Sequence, residues 1–234
     1  MTERRHPIAI PYWILTLLLF AATMIVMIEY TPVEKSMGLV QKIFYIHLPV
    51  AINTFVAAAI VFVASIGYLW QRRMWWDDLA GAAGKITALF CAVVLLTGMI
   101  WGKSAWGHWW TFSPRLTLSL VLFLLYVVYV MIRPAIESPQ RRAVVSAVYG
   151  IAAFVDVPLV YFSIKLMPQD IHPQSISLEP SMQRTLLIWF LPVTMLMAGL
   201  VAMRYRLNRR LRALDDARRT HGIESIGDGL GEPT

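Results

Sequence analysis

The chain has 234 residues, of which 58% are hydrophobic and only 15% charged, against about 45–50% and about 25% in soluble domains. This balance excludes an ordinary water-soluble globule and points to an integral membrane protein. The formal net charge of +7 is concentrated in arginines between Arg204 and Arg219; no nucleic-acid motif accompanies it, so it reads as contact with anionic headgroups and no nucleic-acid partner is expected.

The first apolar segment, Ile10 to Tyr30, follows a short basic lead containing Arg4 and Arg5. It is long enough to span and ends in Glu29-Tyr30-Thr31-Pro32 rather than in a small-residue cleavage site, so it is expected to be a first helix and not a signal peptide. Further spans are predicted over Phe44 to Trp70, Leu79 to Ile100, Leu116 to Ile132, Ala143 to Ile164 and Leu186 to Met203. Each approaches the roughly 20 apolar residues that cross a hydrocarbon core as a helix. Alternation typical of barrel strands is missing, so the backbone must satisfy itself within helices. The expected fold is an all-α, six-transmembrane-helix bundle over residues 1–207, with a basic tail over 208–234 whose end, from Gly222, is expected to be disordered.

Basic residues set the expected orientation. Arg72, Arg73, Arg133, Arg141, Arg142 and the arginine-rich tail fall on one side with the N-terminus. Lys35, Lys42, Lys103, Arg115, Lys165 and Arg184 make up the sparser opposite side. Positive charge is retained inside, which predicts cytoplasmic termini and outward connectors after the first, third and fifth spans. Cys91 is the only cysteine and sits within an apolar segment; thiol exchange and thiolate clusters are excluded.

The outward connectors hold the chemistry. Isolated tryptophans such as Trp13, Trp70, Trp75, Trp76 and Trp189 read as interfacial belts or packing. The connector at 101–115 is different, because Trp101, Trp106, Trp109 and Trp110 stand within one short run with Gly102 and Gly107 between them. Such a run is expected to form a flat aromatic platform. His47, in Phe44-Tyr45-Ile46-His47-Leu48-Pro49, and His172, before the sixth span, fall on the same side as that run. Imidazoles bind haem iron from either face, so stacking surface and paired ligands together point to haem. His108, inside the run, is a weaker ligand candidate. Lys103, Arg115 and Arg184 are candidate partners for haem propionates. Asp156, an ionisable residue in the fifth span, is expected to act through other groups rather than as a ligand. Two other classes remain open on residues alone: a haem-b electron-transfer subunit, which places histidines in mid-helix, and a permease without haem, which places polar groups at the bilayer midplane.

Three blocks carry a resemblance: Phe44-Tyr45-Ile46-His47-Leu48-Pro49-Val50-Ala51, the tryptophan run followed by Pro114-Arg115-Leu116-Thr117, and Pro180-Ser181-Met182. Together they resemble the CcmC family of cytochrome c maturation, and the similarity covers nearly the whole chain. The resemblance implies a haem-handling protein that is not an enzyme. It implies haem b, held transiently and without a covalent link between His47 and His172 at the outer face of the bacterial inner membrane, its edge against the tryptophan-rich segment. It also implies presentation of the haem vinyl group to the chaperone CcmE, and association with the ABC transporter subunits CcmA and CcmB and the small protein CcmD. The chain departs from the family pattern at Phe112-Ser113, where Trp-Asp is usual. It departs again at Leu166-Met167-Pro168, where a tryptophan pair usually precedes the second histidine.

Overall fold

The computed structural model describes residues 9–35, 37–166 and 178–220. His172 lies outside them, as does the stretch from Gly222 onward. The described chain is helical almost throughout. Seven α-helices follow in order: α1 (Ala9–Ile25), α2 (Phe44–Gln71), α3 (Met74–Trp106), α4 (Pro114–Ile132), α5 (Pro139–Phe154), α6 (Asp156–Leu166) and α7 (Pro180–Thr220). A π-helical turn at Val26–Tyr30 extends α1, and a 3₁₀ turn at Leu39–Ile43 leads into α2. Six segments are long and apolar enough to cross a membrane, with α5 and α6 together supplying the fifth.

Local chemistry sets the ends. Pro114 and Pro139 stand at first helical positions, where a missing N–H costs nothing and φ is already helical. Ser138 caps α5 by accepting from the Arg141 backbone N–H at 3.4 Å. Gly107 closes α3 at φ +79°, its N–H bonding the Lys103 carbonyl at 3.1 Å. That left-handed conformation is strained for residues with a Cβ. The expected third span therefore needed correcting at both ends: α3 begins at Met74 and carries Trp101 and Trp106 within its last turns, so the tryptophan run is half helix rather than all connector.

The fifth span is broken rather than continuous. α5 stops at Phe154 and α6 starts at Asp156, because Pro158 cannot donate to the carbonyl one turn before it. Small residues let the helices close. A Cβ added to Gly150 on α5 would lie 2.9 Å from Ser65 Oγ and 3.0 Å from Val61 Cγ1 on α2, the close approach by which membrane helices gain dispersion energy without a hydrophobic drive. Large apolar side chains on the outer faces, among them Leu17, Leu18, Val63 and Leu187, are exposed, as a lipid-facing surface requires.

At the end opposite His47 the bundle is tied by charge. Arg133, after α4, holds Asp77 of α3 through two bonds of 2.8 and 2.9 Å. Arg212 of α7 bonds Asp78 and lies 3.6 Å from Asp77, and Asn208 Nδ2 donates to the Asp78 carbonyl at 3.0 Å. α7 thus continues as one helix beyond residue 207 and packs on the bundle through Asn208 and Arg212. Arg133→Ala should cost about 3 kcal/mol, near the lower end for breaking a buried pair because Arg212 still faces the 2%-exposed Asp77. A lower thermal unfolding midpoint in detergent is the expected readout, with Arg133→Lys intermediate because lysine cannot fork.

Candidate haem site

The start of α2, the end of α3 and the start of α4 meet at one end of the bundle and enclose a cavity, with Val160 of α6 at its wall. The walls are mostly apolar, from Ala51 and Phe55 on α2, Val94, Leu95 and Met99 on α3, and Leu116 and Leu122 on α4. Cys91 also lines it and is 3% exposed. The space open to the centre of a water molecule is about 80 Å³. This is a narrow cleft.

The expected site residues divide clearly. His47, Trp101, Trp106, Trp110 and Arg115 all line the cavity, although 68 positions separate the first from the last. Trp101 is 2% exposed. Its ring centroid lies 5.7 Å from that of Trp106 at 41°, 5.9 Å from Phe44, and 6.1 Å from the His47 imidazole. The rings are tilted against one another, so the expected flat platform is instead an aromatic wall whose inner member, Trp101, supports His47 from behind. Trp109 is 57% exposed and does not line the cavity among the described residues; neither does exposed His108.

The three candidate cations also separate. Arg115 reaches the cavity from the first turn of α4. Lys103 is exposed and donates to the Gly107 carbonyl at 3.0 Å, where it completes the C-terminal cap of α3. Arg184 is exposed and its Nε donates to the Pro180 carbonyl at 3.2 Å. Asp156 is 6% exposed at the first position of α6, and its Oδ2 has no hydrogen-bond partner; it is not part of the cavity wall. His172 is outside the described residues, so its place relative to His47 is not given by this geometry.

Two features escape the residue patterns. Thr97 Oγ1 lies 2.9 Å from His47 Nδ1, and Gly98 beside it has a position for a Cβ 3.4 Å from His47 Cε1. A Thr-Gly pair one turn before Trp101, in the otherwise apolar stretch of α3 from Ala88 to Trp101, is the only signal in the sequence. Gly102 faces Trp106 and the His108 carbonyl at ordinary contact distance.

The arrangement offers an imidazole, a guanidinium and aromatic faces around a mostly apolar cleft. Those are the groups that a ferric porphyrin with two carboxylates can use: nitrogen for iron, a fork for propionate and apolar walls for the macrocycle.

Comparison with known proteins agrees in extent. The profile of the CcmC family, heme exporter protein C, matches residues 2–220. The heme exporter protein C of Bradyrhizobium diazoefficiens is 33% identical over 192 residues, covering 78% of this chain and 73% of that protein. Its namesake in Paracoccus denitrificans is 31% identical over 170 residues, covering 72% and 70%. The Escherichia coli protein of the same name is 29% identical over 224 residues, covering 88% of this chain and 91% of its own length. The match runs through every helix that builds the cavity, and the chain belongs to the heme exporter protein C family, CcmC.

Proposed function

We propose that this multi-pass membrane protein binds haem b in the cleft between α2, α3 and α4 and hands it on during c-type cytochrome maturation. The observation that carries the reading is convergence: His47, Trp106, Trp110 and Arg115, from three helices and a connector, line one apolar cavity. His47 serves as one axial ligand of the iron and His172 as the other. Arg115 holds a propionate, with Lys103 and Arg184 lending positive charge at the rim. Asp156 acts on the packing of α6 against the cleft rather than on iron.

Haem here is cargo, not a resident cofactor. The cleft opens to the surface beside Trp110 and Arg115, and it receives the edge of a porphyrin and leaves the rest of the ring outside. Such partial seating suits a protein that must let go of its ligand. The exposed Trp109, His108 and Phe112 form the outer rim beside the cleft. They offer the surface on which the haem chaperone CcmE meets the protruding ring. The energy for release comes from ATP hydrolysis by CcmA and CcmB, with CcmD completing the assembly. The basic ends of the helices support placing the termini in the cytoplasm and the cleft at the periplasmic face of the inner membrane. His47 and His108, the two histidines among the described residues, stand near helix ends. A transmembrane electron-transfer subunit would need ligands in mid-helix.

The test has two arms. Hemin titrated into the purified, detergent-solubilised chain should give a saturable Soret shift near one equivalent. Co-expression with CcmE, CcmA, CcmB and CcmD should give a chaperone that keeps haem on a denaturing gel. A linear, unsaturable Soret response, together with chaperone loading that does not depend on this chain, would overturn the proposal.

A further inference from the structure

A threonine hydroxyl meets the inner nitrogen of the His47 imidazole. Its Nδ1 lies 2.9 Å from Thr97 Oγ1, across the interface between α2 and α3. A hydroxyl has one proton to give. That of Thr97 is engaged within its own helix, 2.7 Å from the Val93 carbonyl and 3.2 Å from the Val94 carbonyl. With its proton committed, Oγ1 faces Nδ1 with lone pairs only. The short contact then requires a proton on Nδ1. In a neutral imidazole this puts the remaining lone pair on Nε2.

Gly98 lies against the same ring, with room for no more than a methyl group. Its missing Cβ would stand 3.4 Å from Cε1, the carbon between the two nitrogens. A larger side chain would press on the ring edge that leads to Nε2. Trp101, tilted at 52° to the imidazole with centroids 6.1 Å apart, limits rotation of the ring from a third direction. The imidazole is thus oriented before any ligand arrives.

We propose that Thr97 is a positioning residue for haem: by accepting Nδ1–H of His47 across the α2–α3 interface, it holds the tautomer that presents Nε2 to the iron. This rests on the reading of His47 as an axial ligand and extends it to a residue that never touches haem. The outer partner of a metal-bound histidine fixes ring orientation and raises ligand basicity, and losing it typically costs about 10–100-fold in affinity. A more basic imidazole donates more charge and favours ferric over ferrous iron. Thr97 therefore tunes both how tightly haem is held and how readily it is reduced.

The full-length chain in detergent, titrated with hemin and then poised in a spectroelectrochemical cell, tests this. Thr97→Val keeps the shape and removes the acceptor. It should weaken hemin binding by about tenfold and move the ferric/ferrous midpoint to more positive potential, while Thr97→Ser should restore both. A merely structural threonine would leave the midpoint unmoved. Should the valine variant fail to elute like the wild type, the same comparison made with Thr97→Ala carries the test. If His47→Ala loses haem while the Thr97 variants keep wild-type affinity and midpoint, the role of Thr97 is overturned and the haem reading stands. If His47→Ala itself binds hemin like the wild type, the haem reading falls, and this proposal with it.

Discussion

Replacing His47 by alanine is expected to lower hemin affinity by more than the roughly 10–100-fold that an outer-shell partner is worth, because it removes a ligand to the metal itself. The position makes the change interpretable. His47 is half-buried near the start of α2 and its ring leans on Trp101 and Thr97, so its removal leaves a small gap beside a wall built by other residues. The helices around it are held by Phe44, Tyr45 and Ala57, all buried. Secondary structure and elution volume should not change. Added imidazole should restore part of the Soret band, since the truncated site leaves room for the free ligand; this rescue separates loss of an iron ligand from loss of shape.

The second large effect is expected at Arg115. Of the three outward cations singled out in the sequence, it alone lines the cleft. A hydrogen bond to a charged partner contributes about 1.5–3 kcal/mol, which is about 10–100-fold in affinity. Arg115→Ala should lose that much with hemin and little with the dimethyl ester, whose propionates carry no charge. Lys103→Ala and Arg184→Ala should change hemin affinity by less than about fivefold, because exposed ion pairs contribute about 0–1 kcal/mol. Equal losses for acid and ester would mean that Arg115 shapes the wall rather than holding a carboxylate. The measurement is the same titration performed with both porphyrins.

What the sequence disclosed and what it hid have separate physical reasons. Spans were legible because lipid imposes length and apolarity, so α1, α2 and α4 begin and end close to the apolar runs. The ends of α3 were not. Asp77 and Asp78 look like residues that should stop a membrane helix, but Arg133 and Arg212 pair with them across the bundle, and the helix starts before them. At the other end, nothing local distinguishes a tryptophan-rich connector from a tryptophan-rich last turn until Gly107, whose positive φ marks the true stop. The break at Val155 had its signal in Pro158.

The site was legible as residue types on one side of the membrane, since the parity of six spans brings His47, the tryptophans and Arg115 to one end. Their ranking was not. Arg115 and Lys103 are equal as outward cations in a sequence; only the turn of α4 that aims one into the cleft and the cap that engages the other tell them apart. Trp101 and Trp109 differ in the same way, one buried behind His47 and the other mostly exposed. Thr97 stayed hidden because its partner stands 50 residues away on another helix. No pattern of spacing records such a contact.

The most direct test of the central claim is the spin state of ferric iron in the hemin-loaded chain, read by electron paramagnetic resonance for the wild type, His47→Ala and His172→Ala. Two imidazoles on one iron predict a low-spin signal in the wild type and conversion to a high-spin, five-coordinate signal in each variant. A wild-type spectrum that both substitutions leave unchanged would contradict the account, for the iron would then be held by neither histidine.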